Sequence, residues 1–159
     1  MATLTLPIRE LEQSVRNEAE KAQAETECVA MHSSAPRADF GTVCKVAART
    51  LALKWLLSSL VRTQEKLISA YVKQDFTQCS DDTLRETAAS LDRIVEKERA
   101  ILNRANMLGA EIRVWWNASL VKLAEQVEHL DSIAESLHLE CDDEASSLLA
   151  IAVEQFAMR

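Results

Sequence analysis

A single heptad register runs without a phase slip from Leu84 to Leu137 and constrains this 159-residue chain more than any other feature. Alternate steps of four and three give Leu84, Ala88, Leu91, Val95, Glu98, Leu102, Ala105, Gly109, Ile112, Trp116, Ser119, Leu123, Gln126, Leu130, Ile133 and Leu137. Only Glu98, Gly109, Ser119 and Gln126 interrupt the apolar run. Such a repeat places one apolar seam along a helix, and that seam needs other helices to cover it. Ile94, Ile101, Leu108 and Trp115 thicken its first half, whereas beyond Leu123 only the narrow two-position seam remains.

The rest of the chain agrees with helix. Two glycines and two prolines are too few for the tight turns of a β fold, and Ala, Leu, Glu, Lys, Arg and Gln dominate. The expectation is an all-α fold, a single helical domain over residues 1–159. It is an elongated helical bundle or coiled coil of four to five helices, at approximately 5–32, 39–76, 80–138 and 142–157.

Helix one starts near Thr5 or Leu6 with Pro7 in its first turn. Its stripe Leu4, Ile8, Leu11, Val15 weakens at Glu18, Ala22 and Glu25 before Val29, which predicts a peripheral or projecting helix. Pro36 marks a loop over 33–38, and Asp39 is the expected cap of helix two. Helix two has the seam Val43, Val46, Thr50, Leu53, Leu57, Leu60, Gln64, Leu67, Tyr71. A second line, Ala47, Leu51, Trp55, Leu56, Val61, Ile68 and Val72, is expected to widen that seam toward two neighbours. Ser80 or Thr83 caps the long helix.

Gly109 is the one place where the long helix could stop, bend or turn back, because glycine is costly inside a helix. The uninterrupted register favours continuity, and residues 80–138 would then span roughly 88 Å. The last helix starts at Asp142, Asp143 and Glu144 and buries Leu148, Leu149, Ala152, Val153 and Phe156.

Little in the sequence points to chemistry. His32, His129 and His138 are too few, and Glu135 with His138 forms only one Glu-x-x-His pair, where a di-iron bundle needs two. Cys28 and His32 make at most half a zinc site. Cys28, Cys44, Cys79 and Cys141 show no paired spacing and read as reduced thiols, with Cys28 a buried structural one. No phosphate-binding glycine loop occurs. No metal, cofactor or catalytic group is expected. No apolar run approaches the ~20 residues of a membrane span, and no secretory signal opens the chain, so the expected location is the cytoplasm.

The net charge of −7 is uneven, since residues 37–73 hold seven basic and two acidic groups. Nucleic acid is not expected as a partner of so acidic a chain. The basic helix is expected to lie centrally and to pair with acidic neighbours. The function these features support is a non-enzymatic scaffold or assembly subunit that binds other helical proteins, or itself, through coiled-coil contacts. The expected partner interface is Trp115, Trp116, Ser119, Leu123, Gln126, Leu130, Ile133 and Leu137, with a basic partner drawn to its acidic flanks. The alternative is a compact bundle that binds a small ligand or acts as a sensor, with Trp55, Tyr71, Trp115 and Trp116 lining its pocket.

Overall fold

The computed structural model of the chain describes residues 6–34 and 40–157, all as helix, turn or short connection. Five helices follow one another: α1 (Leu6–Ser34), α2 (Phe40–Lys73), α3 (Asp81–Asn106), the single turn α4 (Ala110–Arg113) and α5 (Asn117–Ala157). Leu4, the loop residues 35–38, Asp39, and the side chains of His32, Val43, Val46 and residues 141–157 lie outside the described residues.

The four long helices form an antiparallel bundle of two hairpins. Arg49 meets Glu25 and Tyr71 meets Glu12, so α1 and α2 run in opposite directions. Arg99 meets Asp131 and His138 meets Asp92, so α3 and α5 do the same. The hairpins pack with α1 against α3 and α2 against α5. Both of those pairs are parallel: Glu20 faces Lys97 and Glu27 faces Arg104, while Ser58 faces Ser119 and Gln64 faces Gln126. The link from α2 to α3 therefore crosses the bundle end. It does so through a 3₁₀ turn at Phe76–Gln78, capped by Asp75, whose side chain accepts from the Thr77 N–H.

The long helix is not continuous. α3 stops at Asn106, and the chain reverses through Met107, Leu108 and Gly109 before α4. Gly109 has φ −58° and ψ 148°, an extended conformation open to any residue, and it caps α4 instead of closing α3. The reversal has a packing cause. Leu84–Ala105 and Trp116–Leu137 carry the same seam, so folding back brings the two halves face to face. Closing a loop of about ten residues costs about 2 kcal/mol, which burial of a single leucine offsets. Ser80 settles the start of α3, accepting from the Thr83 N–H at 3.2 Å.

Two other expectations change. No break separates 138 from 142, since α5 runs through both as one helix of 41 residues, about 62 Å long. Helix α1 is a full member of the bundle and neither peripheral nor projecting. Its buried stripe passes through Val15, Ala19, Ala22, Thr26 and Val29, small side chains that let α2 and α3 approach closely. Glu18 flanks that stripe and takes hydrogen bonds from the hydroxyls of Ser59 (3.0 Å) and Thr63 (3.2 Å). Every described residue of the α2 seam, from Thr50 to Tyr71, is buried. Among the described residues, no helix is long and apolar enough to cross a membrane.

Candidate functional site

The seam expected to meet a partner lies mostly inside the chain's own bundle. Leu123 and Leu130 are fully buried, Gln126 and Leu137 nearly so, and Ser119 and Ile133 are half-buried. Trp116 is 1% exposed, and its indole N–H donates to the Thr50 carbonyl at 2.9 Å. Trp115 alone is open, at 57%. Both sit in the turn between α4 and α5, which sends Trp116 into the seam and leaves Trp115 to solvent. The hairpin provides intramolecularly what an unbroken helix would have needed from a partner.

Midway along the bundle the core is polar. Gln64 of α2 donates to Gln126 Oε1 at 3.0 Å, and Gln126 of α5 donates to the Val61 carbonyl at 3.0 Å. Glu98 of α3 is fully buried in the same core, and neither of its carboxyl oxygens has a hydrogen-bond partner; Gln64 Oε1 also lacks one. Burial pushes the Glu98 carboxyl up to about 8, and only the nearby Gln64 amide opposes that shift. A proton on Glu98 removes the buried charge and gives the carboxyl a donor. Burial thus favours the neutral form of Glu98 in this layer.

A second buried carboxylate, Glu12, sits near the N-terminal end of α1. Tyr71 donates its hydroxyl to Glu12 Oε1, and Ser90 donates to Glu12 Oε2 at 3.5 Å. Arg16 in turn donates to Ser90 Oγ at 2.8 Å. Burial raises the Glu12 carboxyl, while the Tyr71 bond and then Arg9 and Arg16 pull it back; burial and Glu12 together raise the Tyr71 hydroxyl. This ties α1 to α2 and α3.

The outer surface along α2 and α5 differs from the expected basic rim paired with acids. Helix α2 occupies a corner of the bundle, and among its described cations only Arg49 makes an ion pair, with Glu25 at 3.2 Å. Lys54, Arg62, Lys66 and Lys73 make none. The second apolar line of α2 is surface where Leu51 (52%), Trp55 (65%) and Val72 (67%) stand. Ser58 and Arg62 continue the Leu51–Trp55 stripe at helical spacing, and these polar residues were the signal that it faces water. Across the seam, Ser58 Oγ lies 3.5 Å from Ser119 Oγ. Trp55 lies three residues before Ser58 on α2, and Trp115 lies four before Ser119 in the turn that leads into α5; Leu51 and Val114 near them are exposed as well.

The four aromatic residues expected to line a pocket do not meet. Tyr71 is held at the Glu12 end, about 24 Å along α2 from Trp55, Trp116 is core, and Trp55 and Trp115 are open. Cys28 and Cys79 are half-buried and Cys44 is exposed, all three free, so Cys28 is less enclosed than expected; Cys141 lies outside the described residues. His138 Nε2 pairs with Asp92 at 2.8 Å, and no group of three metal-ligating side chains converges among the described residues. Compared with protein-family models, curated proteins and solved structures, the chain matches none of them.

Proposed function

We propose that this chain is a non-enzymatic helical assembly module that binds another helical protein on the outer face of its α2/α5 pair. The observation that carries the reading is the pair of open tryptophans, Trp55 at 65% on α2 and Trp115 at 57% in the turn that leads into α5. Tryptophan is the side chain most enriched among interface anchors, and clustered apolar surface on a soluble domain marks contact sites. Leu51 and Val114 extend the patch, and the polar Ser58 and Ser119 form its next turn. The core itself is filled by the chain's own leucines, so binding is a property of this outer face.

The test is the double variant Trp55→Asp with Trp115→Asp. It should keep the helicity and melting temperature of the parent, since both rings face water, and lose the helical protein that co-purifies with the parent from its own cell extract. Retention of that partner at parental level by a folded double variant would overturn the proposal.

A further inference from the structure

We infer that the depression between α1 and α3 binds the phosphate group of a small soluble ligand, clasped between the guanidiniums of Arg16 and Arg93. This seam lies across the bundle from α2/α5, so the site is independent of the assembly reading. Its rim is a ladder of ion pairs with one misfit. Helices α1 and α3 run parallel, and residues 77 positions apart face each other, as Glu20 and Lys97 do. The same step joins Arg9 to Glu86 and Glu27 to Arg104, so each of these rungs pairs opposite charges. It also joins Arg16 to Arg93. Opposite charges across paired helices hold register, whereas like charges repel, the more so where water is partly excluded. A rung of two arginines in a matched ladder calls for an anion that the chain does not provide.

The carboxylates nearby are already engaged. Glu86 pairs with Arg9 at 3.7 Å, and Glu20 pairs with Lys97. Glu12 accepts from the Tyr71 hydroxyl on one oxygen and from Ser90, at 3.5 Å, on the other. Arg16 places one guanidinium nitrogen on the Ser90 hydroxyl at 2.8 Å, while its Nε is buried without a hydrogen-bond partner. Arg93 is exposed and makes no ion pair among the described residues. Arg9, Arg16 and Arg93 line one depression of about 290 Å³, against the carboxylates of Glu12 and Glu86 alone.

A tetrahedral anion suits this rung. A guanidinium is a planar fork that can grip two oxygens at once. Two forks reaching in from different helices need two pairs of oxygens, which phosphate has and a carboxylate lacks. Ser90, itself nearly buried, adds a hydroxyl beside Arg16. Small-molecule sites run from about 300 Å³ upward, so this one takes a phosphate with a small substituent. The net charge of −7 opposes an anionic bilayer as the source of that phosphate.

The test is calorimetric titration of the full chain with inorganic phosphate and, separately, with acetate at matched ionic strength. Phosphate should bind at one site, about tenfold or more tighter than acetate, and should raise the melting temperature. Arg93→Gln should weaken phosphate by about tenfold or more, since a hydrogen bond to a charged group is worth at least that factor. Arg99→Gln, one and a half turns away and paired with Asp131 and Glu128, should leave phosphate affinity unchanged. Arg93→Glu completes the ladder. It should melt above the parent in phosphate-free buffer and lose its response to phosphate, a gain that damage to the fold cannot produce. Equal affinity for acetate and phosphate, or a phosphate response that survives in Arg93→Glu, would overturn the site. Binding to phosphatidic acid vesicles with none to inorganic phosphate would overturn it too, by placing the phosphate on a lipid.

Discussion

The two parallel seams of the bundle, α1/α3 and α2/α5, have the same geometry and opposite surfaces. Along α1/α3, Arg9 meets Glu86 at 3.7 Å, Lys97 meets Glu20 and Arg104 meets Glu27 at 3.3 Å. Arg16 bonds Ser90 beneath them. Along α2/α5 the described residues form no ion pair, and contact is through Ser58–Ser119, Gln64–Gln126 and the Trp116 indole on Thr50. One seam satisfies its own charges at the rim, save at the rung of Arg16 and Arg93. The other leaves cations unpaired and tryptophans open. Topology alone does not ask for that difference, because both seams bury the same kind of leucine and alanine stripe. The asymmetry lies in the rim residues, which is where binding surfaces are written.

The most destructive change strikes both seams from within. Leu123→Asp with Leu130→Asp places two carboxylates at fully buried positions and should abolish the fold, seen as loss of helical circular dichroism. Survival of a folded double variant would mean that these side chains face outward after all.

Glu98→Gln should sharpen the picture of the polar layer below α2/α5. The unfolded chain releases this proton near 4.5 and the folded chain holds it to about 8. Glu98 therefore contributes stability that is full below about pH 4.5 and declines by about 1.4 kcal/mol per unit up to about pH 8. Glutamine removes that slope, so the variant should gain on the order of a few kcal/mol over the parent at pH 8 in urea titrations. Parallel pH profiles of parent and variant would refute a neutral, buried Glu98.

Tyr71→Phe leaves Glu12 Oε1 without its donor and should cost about 1–3 kcal/mol by thermal unfolding. On the α1/α3 rim, Arg104→Ala removes a half-exposed ion pair and should cost under about 1 kcal/mol, less still in high salt. Trp55→Ser on the opposite rim should change stability by no more than about 0.5 kcal/mol, because its ring is open. If Trp55→Ser proved more damaging than Arg104→Ala, the contrast between a closed and an open seam would collapse.

Much of the interior was legible from residue order. The seam of α2 from Thr50 to Tyr71, and the heptad positions on both sides of Gly109, are the residues that face inward. The polar members of that pattern, Glu98, Gln126 and Gln64, were legible as interruptions, yet their meeting in one layer was not. They come from three helices, and only the packing of one hairpin on the other brings them together. The open face was harder still. Leu51, Trp55 and Trp115 continue apolar lines, and periodicity cannot tell an apolar residue that covers the core from one that stands beside it.

The sequence by itself therefore determined that the chain is helical, where each helix presents its apolar stripe, and that its second helix is basic. Local propensity and spacing are properties of neighbouring residues, and residue order records them completely. The tertiary structure decided that the register folds back at Leu108–Gly109, that α1 is enclosed, and that α5 runs on through residue 141. It also decided which of two adjacent tryptophans is buried and which seam keeps its cations free. Each of those outcomes is a choice between partners for the same stripe. Intramolecular partners win because connecting them costs only the closure of a short loop.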